Sequence, residues 1–342
     1  MTKIKDVAEV AGYSISTVSR VLNNDPNLTV PQETREKIYE VAERLNYRKK
    51  TVKQLVKNIA FLYWLTDKEE LEDVYFKSMR LEIEKLAEAF NVELTTYKIS
   101  NGMDAIPDNI EGFLAVGTFS DKELAHLRSI TSNGVFLDST PDPYHYDSVR
   151  PDLVQITKRA IDYHMERGHQ SIGFIGGTYH NPNTDEEDMD LREETFRSYM
   201  HEKGLLDDEY VFTHRGFSVD NGYRIMANAI EKLGDQLPTA FFIASDPIAV
   251  GCLQALNEKG ITIPNRVSVI SINNISVAKY VSPPLTTFHI DTQEICSNGL
   301  ALLLEQVQEK RKYVKTLYLG SELIIRKSAN ENNILEQKED KK

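Results

Sequence analysis

Hydrophobic residues recur at helical spacing through the first 47 residues of the chain. Residues 6–23, DVAEVAGYSISTVSRVLN, predict two short helices on either side of a tight turn at Gly12, where glycine tolerates the backbone conformation that a turn needs. The apolar faces are formed by Val7, Ala8 and Ala11 in the first helix and by Val18, Val21 and Leu22 in the second. A third helix opens at Pro31 and places Ile38, Val41, Ala42 and Leu45 on one face. The pattern predicts a small helical domain over residues 1–47.

From residue 58 onward, short apolar runs alternate with helical stretches. Continuous apolar runs are typical of parallel strands that are buried on both faces. The predicted strands are 59–65, 92–99, 112–116, 135–137, 172–175, 240–244, 267–272 and 285–289. The predicted helices are 74–90, 121–130, 153–167, 192–203, 222–233, 248–259 and 295–309. This length is large for one open sheet, so we expect two sheets with a ligand cleft at the carboxyl ends of their strands.

Residues 48–57, RKKTVKQLVK, join these two parts and contain five cations and no acid. Two interpretations remain open from the residues alone: a solvated linker, or a hinge that orders against DNA with Leu55 in the minor groove. We assign residues 58–328 to the core. Its first subdomain is about 58–150 plus 289–315, and its second is about 151–285 plus 316–328. Residues 329–342 form a polar tail.

Charge is distributed unevenly along the 342 residues, whose net charge is −12. Residues 1–58 contain 11 Lys and Arg against 7 Asp and Glu, whereas the remainder contains 29 against 45. The outward positions of the second helix carry no acid; they are Ile15, Ser16, Thr17, Ser19 and Arg20. An ordinary helical hairpin also fits the apolar pattern, but a basic head on an acidic body favours DNA binding.

Several classes of protein are disfavoured. The start, MTKIKDVAEV, has no apolar segment after its lysines, and no later run is long enough to span a bilayer, so we expect a cytoplasmic protein with no membrane partner. We expect Cys252 and Cys296 to be buried free thiols. His164 and His169 lack partners at zinc spacing, the acidic loop TDEEDMD lacks EF-hand spacing, and no nucleophile–base pair stands out. We therefore expect no metal, no cofactor and no enzymatic activity.

The head resembles the DNA-binding domain of the lactose/galactose repressor family of bacterial transcription regulators. The resemblance rests on IKDVAEVAG, STVSRVLN and ETREKIYEVAERLNY at the family's spacing, and it continues through ERGHQSIGFIGG and SPPLTTFHID to about residue 327. It implies an N-terminal all-α helix-turn-helix head and an α/β periplasmic-binding-protein-like core of two Rossmann-like parallel-sheet subdomains. It also implies a homodimer on a pseudo-palindromic double-stranded operator.

The resemblance gives individual residues roles in DNA binding. It implies that the second helix enters the major groove, with Ile15 and Ser16 at base-selecting positions and Arg20 suited to a guanine edge. Phosphate contacts are implied for Ser14, Thr17, Ser19, Asn23, Thr34 and Tyr47, and minor-groove insertion for Leu55. The hinge departs from the family pattern, because it lacks the usual proline after Tyr47 and is one residue shorter.

The family's effector pocket gives a second set of expected site residues. A sugar site needs carboxylate, amide and guanidinium groups for the hydroxyls and aromatic faces for the C–H side of the ring. The matching positions are Asp138, Arg192, Asp246 and Asn273, with Tyr75, Phe76 and Phe217 as aromatic faces. Taken singly, an Asp can be a helix cap, Arg192 a surface charge and Phe217 a core residue, but their shared register favours a pocket. Many family members carry aspartate where this chain has Asn273.

We therefore expect a repressor that is released from its operator by a small sugar, galactose or a β-galactoside. A purine-type corepressor that strengthens DNA binding is the alternative within the family. An enzyme of sugar metabolism is disfavoured because no catalytic constellation is found. A transport binding protein is disfavoured by the basic head.

Overall fold

The computed structural model describes residues 3–22, 28, 30–45, 47, 56–65, 70, 74–181, 183–184, 187–309 and 311–329. The chain divides into two compact units, Met1–Gln54 and Leu55–Lys342. Most of the predicted hinge (residues 48–55) and nearly all of the tail (from residue 330) lie outside the described residues. So do two predicted DNA contacts, Asn23 and Leu55.

The first unit contains three helices, α1 (Ile4–Ala11), α2 (Ile15–Leu22) and α3 (Gln32–Arg44). Gly12 ends α1 in the left-handed region, with φ 78°, and its amide donates to the Ala8 carbonyl at 3.0 Å. Glycine suits this position because a side chain is strained there. The predicted apolar faces form one buried cluster of Val7, Ala8, Ala11, Val18, Val21, Ile38, Val41 and Ala42. The prediction of a helical head is confirmed.

The second unit contains strands and helices in alternation. Its strands are β1 (Val56–Tyr63), β2 (Val92–Lys98), β3 (Gly112–Val116), β4 (Gly134–Leu137), β5 (Asp147–Pro151), β6 (Ile172–His180), β7 (Glu187–Asp188), β8 (Val211–Arg215), β9 (Ala240–Ile243), β10 (Ser268–Asn273), β11 (Thr286–His289), β12 (Thr316–Leu319) and β13 (Glu322–Ile324). Its helices are α4 (Val74–Phe90), α5 (Asp121–Ile130), α6 (Leu153–Glu166), α7 (Leu191–Glu202), α8 (Val219–Leu233), α9 (Asp246–Glu258) and α10 (Thr292–Gln308).

These strands form two sheets. The first has the order β12-β5-β4-β3-β1-β2, and all of its pairings are parallel. The second has the order β13-β11-β10-β9-β6-β7, with β8 also paired to β6; only β13 and β7 run antiparallel to their neighbours. The strand order changes direction at β1 in the first sheet and at β6 in the second. Such a reversal opens a crevice at the carboxyl ends of the strands. The predicted core of two parallel-sheet subdomains is confirmed.

Three predicted boundaries need correction. β1 begins at Val56, so the last two residues of the predicted hinge, 48–57, belong to the first sheet. Residues 316–328 were assigned to the second subdomain, but β12 pairs in parallel with β5 in the first sheet. β11 continues to His289 in the second sheet, beyond the predicted limit of 285. Pairing between strands that are distant in sequence decides these boundaries, and hydrophobic periodicity does not record it.

Burial follows the strand pattern. Every residue of β3, β4 and β9 is buried, as expected for strands covered on both faces. Cys252 and Cys296 are buried free thiols, and burial raises the pKa of both. Among the described helices, none is long and apolar enough to cross a membrane.

Candidate functional site

The outward face of α2 is exposed and carries no carboxylate in its first turn. Ile15 is 49% exposed, and Ser16 and Arg20 are also exposed, while Val18 and Val21 anchor the opposite face. Ser14 caps the helix, because its Oγ accepts the Thr17 amide at 3.1 Å. The cap orients the helix terminus, whose partial positive charge favours a phosphate. This face has the composition that a major-groove helix needs.

Other residues predicted to contact DNA lie on or beside this helix. Thr17 and Ser19 are half-buried on α2. Thr34, in the first turn of α3, accepts a hydrogen bond from the Tyr13 hydroxyl at 3.4 Å. Tyr47 packs against the core of the head and is half-buried. The structure thus brings the predicted residues of α2 together and places Thr34 on the neighbouring helix.

A cavity of about 380 Å³ lies between the two sheets of the second unit. Its walls come from the carboxyl ends of strands: Trp64 follows β1, Gly117 follows β3 and Asp138 follows β4, while Tyr179 lies near the end of β6. Arg192 adds a wall from the start of α7. A smaller space of about 30 Å³ is lined by Tyr75, Ser245 and Asn273, among others. The larger volume lies in the range of small-molecule sites, about 300–1,000 Å³.

Asp138 presents a carboxylate to both spaces. It has φ 69°, and the Tyr75 hydroxyl donates a hydrogen bond to its Oδ1 at 2.7 Å. Burial raises the pKa of Asp138, although the Tyr75 hydrogen bond and the charge of Arg192 oppose that shift. Burial, followed by the charge of Asp138, raises the pKa of Tyr75. Tyr75 was predicted as an aromatic face; in the structure its hydroxyl holds the carboxylate in place.

Arg192 is 8% exposed and is held on three sides. Its Nε–H donates to Asp190 Oδ1 at 2.7 Å, one Nη–H donates to Asp190 Oδ2, and another donates to the Ala244 carbonyl. The guanidinium carbon lies 5.0 Å from the centroid of the Phe217 ring. Burial disfavours the charged guanidinium, but the charge and hydrogen bond of Asp190 outweigh it and raise the pKa of Arg192. A guanidinium has five N–H donors, so these contacts leave two for a ligand.

Asn273 ends β10 with φ 113°, and Asn274 follows with φ 56°. Such conformations cost roughly 1–3 kcal/mol each in residues other than glycine, and they cluster at ligand sites. Asn274 is held by Arg326, whose Nη donates to its Oδ1 at 2.6 Å. Asn273, the last residue of β10, lines the smaller space together with Phe76.

Two of the predicted effector contacts need correction. Phe217 is 5% exposed and lines neither space. Its ring stacks on Tyr179 with centroids 4.1 Å apart, and it also packs against the Arg192 guanidinium. Asp246 is fully buried. Its carboxylate accepts hydrogen bonds from the Ser271 hydroxyl, from the Thr287 hydroxyl at 2.7 Å and from the Ile275 amide at 2.8 Å. It therefore holds the ends of β10 and β11 in place, and it lines neither of the two spaces.

The lining residues that were not predicted include Trp64, Arg150, Tyr179 and Asp190. Trp64 packs edge-on against Tyr179 at 5.1 Å and against Phe76 at 6.4 Å between centroids. A signal was present for Trp64, since it lies near the carboxyl end of the predicted strand 59–65, and that end of a parallel sheet is its ligand edge. Arg150 lies in β5, which the apolar pattern did not predict. Asp190 is the N-cap of α7 and looks like an ordinary cap in the sequence.

Comparison with known proteins agrees with this architecture. Residues 3–50 match the bacterial regulatory proteins of the lacI family, and residues 161–329 match the periplasmic binding protein-like domain. The HTH-type transcriptional regulator GanR of Bacillus subtilis (strain 168) is 73% identical over 96% of this chain and 100% of its own length. This chain belongs to the lacI family of bacterial regulatory proteins. It is a DNA-binding transcriptional repressor of that family, as the resemblance predicted.

Other relatives extend the comparison. The HTH-type transcriptional regulator LacR of Lactobacillus helveticus is 37% identical over 96% of this chain and 98% of its own length. The transcriptional regulator CelR in complex with cellobiose has a similar fold, with a TM-score of 0.68 and 20% sequence identity. The similarity to CelR covers 96% of this chain and 100% of that structure, and it shows that the two proteins share a fold.

Proposed function

We propose that this lacI-family protein represses a sugar-utilisation operon and that a small neutral sugar, galactose or a β-galactoside, releases it from its operator. The observation that carries the proposal is the pair of spaces between the sheets: Asp138 and Arg192 line both of them beside aromatic rings, and Asn273 lines the smaller one. Carboxylate and amide oxygens accept from sugar hydroxyls, guanidinium N–H groups donate to them, and Phe76, Trp64 and Tyr179 offer apolar surface for C–H groups.

The charges around the cavity support a neutral ligand. Its described lining contains two acids, Asp138 and Asp190, and two bases, Arg150 and Arg192. These charges balance, so the cavity offers no net attraction for a strongly anionic effector. CelR, which shares the fold, was determined in complex with cellobiose, a neutral disaccharide. The segments SDPIAVG and SINNIS also resemble the repressor of the evolved β-galactosidase operon, and that finer assignment stays a prediction.

The mechanism follows from thermodynamic linkage. In the proposed homodimer, two heads place their α2 helices in adjacent half-sites of one operator. A sugar that binds the closed core better than the DNA-bound form weakens operator affinity, and it does so only by the ratio of its own affinities for the two forms. The predicted contacts at Asn23 and Leu55 and the hinge belong to this proposal as well.

The test measures operator binding with and without sugar. A labelled DNA fragment from upstream of a neighbouring sugar operon is titrated with the protein, and galactose, lactose, other sugars and purine bases are added in turn. We expect galactose or lactose to lower DNA affinity and to raise the thermal unfolding temperature of the free protein. Sugars without effect on either measurement, or a purine that tightens DNA binding, would contradict the proposed inducer.

The role of α2 has its own test. Arg20→Ala should lower affinity for the cognate operator by about 1–3 kcal/mol and leave the salt-dependent binding of unrelated DNA largely unchanged. Arg44→Ala is the matched control, because Arg44 is also exposed but lies in the last turn of α3. An equal loss on all DNA after Arg20→Ala identifies Arg20 as a phosphate contact instead.

A further inference from the structure

Asp190 occupies an unusual position in the effector cavity. It lines the cavity, and it also caps α7 by accepting the Arg192 amide at 2.8 Å. Its side chain and that of Arg192 are each 10% exposed, and they form a fork-to-fork pair through Nε and one Nη. One carboxylate therefore fixes the backbone, the side-chain orientation and the charge of the same arginine.

The pair has an electrostatic consequence for any ligand. An unpaired buried arginine is a strong anion-binding group, because its fork matches carboxylate and phosphate. Here the matching oxygens are supplied by Asp190 itself, so Arg192 offers a ligand its remaining N–H groups without an excess positive charge. Asp190 and Asp138 are close enough that the charge of Asp190 contributes to the raised pKa of Asp138. An anionic ligand would meet both carboxylates.

We propose that Asp190 is a specificity-determining residue that selects neutral sugars and excludes acidic ones such as uronic acids and sugar phosphates. The inference rests on the proposed function, since it names the class of sugar that the same cavity accepts. Asp190 acts in two ways: it neutralises Arg192, and it adds a repulsive charge against an anion, which is a common way to discriminate between ligands.

The test compares neutral and acidic sugars on matched variants. Dissociation constants for galactose, lactose, galacturonate and galactose 6-phosphate are measured by calorimetry on the full chain, Asp190→Asn, Asp190→Glu and Asp207→Asn. Asp190→Asn is isosteric and keeps an oxygen that can cap α7. Asp207→Asn makes the same change at another capping aspartate, which accepts the Glu209 amide at 3.0 Å and does not line the cavity.

We expect wild type and Asp207→Asn to bind a neutral sugar at least tenfold more tightly than its acidic counterpart. In Asp190→Asn the ratio should shift toward the acidic sugars by about tenfold or more, because one negative charge beside the ligand is removed. Asp190→Glu should restore the preference for neutral sugars. This reversal of selectivity separates a role in recognition from a role in folding, since a merely structural loss weakens all four ligands alike.

Three outcomes would overturn the inference. A wild-type protein that binds galacturonate as tightly as galactose contradicts it and leaves the proposed function intact. An unchanged ratio in Asp190→Asn, with neutral sugar still bound, contradicts it as well. If wild type binds none of the four ligands, the proposed function fails, and the role of Asp190 fails with it.

Discussion

Glu123, in the first turn of α5, joins the two subdomains beside the cavity. Its carboxylate accepts hydrogen bonds from Asn181 Nδ2 and Asn183 Nδ2, each at 2.6 Å, and from the amide of Ser120 at 2.8 Å. Asn181 follows β6 of the second sheet, whereas α5 lies between β3 and β4 of the first. We call the two cross-cleft bonds, from Asn181 and Asn183, the Glu123 latch. Glu123→Ala removes the acceptor, so we expect the cleft to open more readily.

The size of the effect follows from the contacts. A hydrogen bond to a charged group contributes about 1.5–3 kcal/mol, so each lost bond shifts the closing equilibrium by roughly 10- to 100-fold. Burial of Glu123 disfavours its ionised form, but the hydrogen bonds from Asn183, Ser120 and Asn181 outweigh this and lower its pKa. A lowered pKa in the folded state means that the stabilisation is present at neutral pH and is lost only as pH falls through that pKa.

The assay combines sugar affinity with the shape of the core in solution. Small-angle scattering should give a larger radius of gyration for Glu123→Ala, and calorimetry should give weaker sugar binding, since part of the binding energy is now used to close the cleft. Asn183→Ala removes one of the two latch bonds and preserves the Ser120–Glu123 capping box of α5, so its effect should be smaller than that of Glu123→Ala. Ser129→Ala, on the exposed side of the same helix, is the control. Unchanged scattering and affinity in both latch variants would refute the reasoning.

Three further predictions concern other parts of the core. Gly117→Ala places a Cβ 1.7 Å from Trp64 Cδ1 at φ +119°, so the emission of this single tryptophan should shift to longer wavelength and sugar affinity should fall; Gly204→Ala, at φ +70° with open space, should show neither change. Burial raises the pKa of Asp246 to about 6, so its contribution to stability is present at low pH and is lost as pH rises through 6, a difference of roughly 3 kcal/mol. Asp246→Asn should remove this pH dependence of the unfolding free energy, as measured by urea denaturation. If the variant keeps the wild-type pH dependence, another group causes it. Both thiols should resist alkylation until the core unfolds, because they are buried and burial raises the pKa of each; rapid labelling of the native protein would contradict this.

Hydrophobic periodicity predicted the central strands well and the edge strands poorly. β3 and β9 are apolar and buried throughout, so their pattern identifies them. β8 and β12 were missed because they lie at or near sheet edges and expose many of their residues. β5 was missed for another reason, since it buries Asp147 and Ser148 through hydrogen bonds with the segment that leads into β12. Such partners are distant in sequence, and a local pattern does not reveal them.

The candidate site shows the same division between local and distant information. Asp138 and Asn273 were predicted because each ends an apolar strand, and strand ends line the crevice of a doubly wound sheet. Trp64, Tyr179 and Asp190 were missed because their roles depend on contacts across the cleft or on Arg192. Arg192 itself was predicted, but its paired state was not, and that state determines which ligands it suits.

The two aspartates that follow strands in this core show how one sequence pattern can lead to different functions. Asp138 follows VFL and Asp246 follows FIAS, so both were predicted to contact sugar. Asp138 lines the cavity, and the Tyr75 hydroxyl donates a hydrogen bond to one of its carboxylate oxygens. Asp246 accepts hydrogen bonds from β10, from β11 and from the Ile275 amide, and its carboxylate is fully buried. Because the Ile275 amide lies two residues after Asn273, Asp246 stabilises the backbone that follows Asn273, and we propose that its contribution to recognition is indirect.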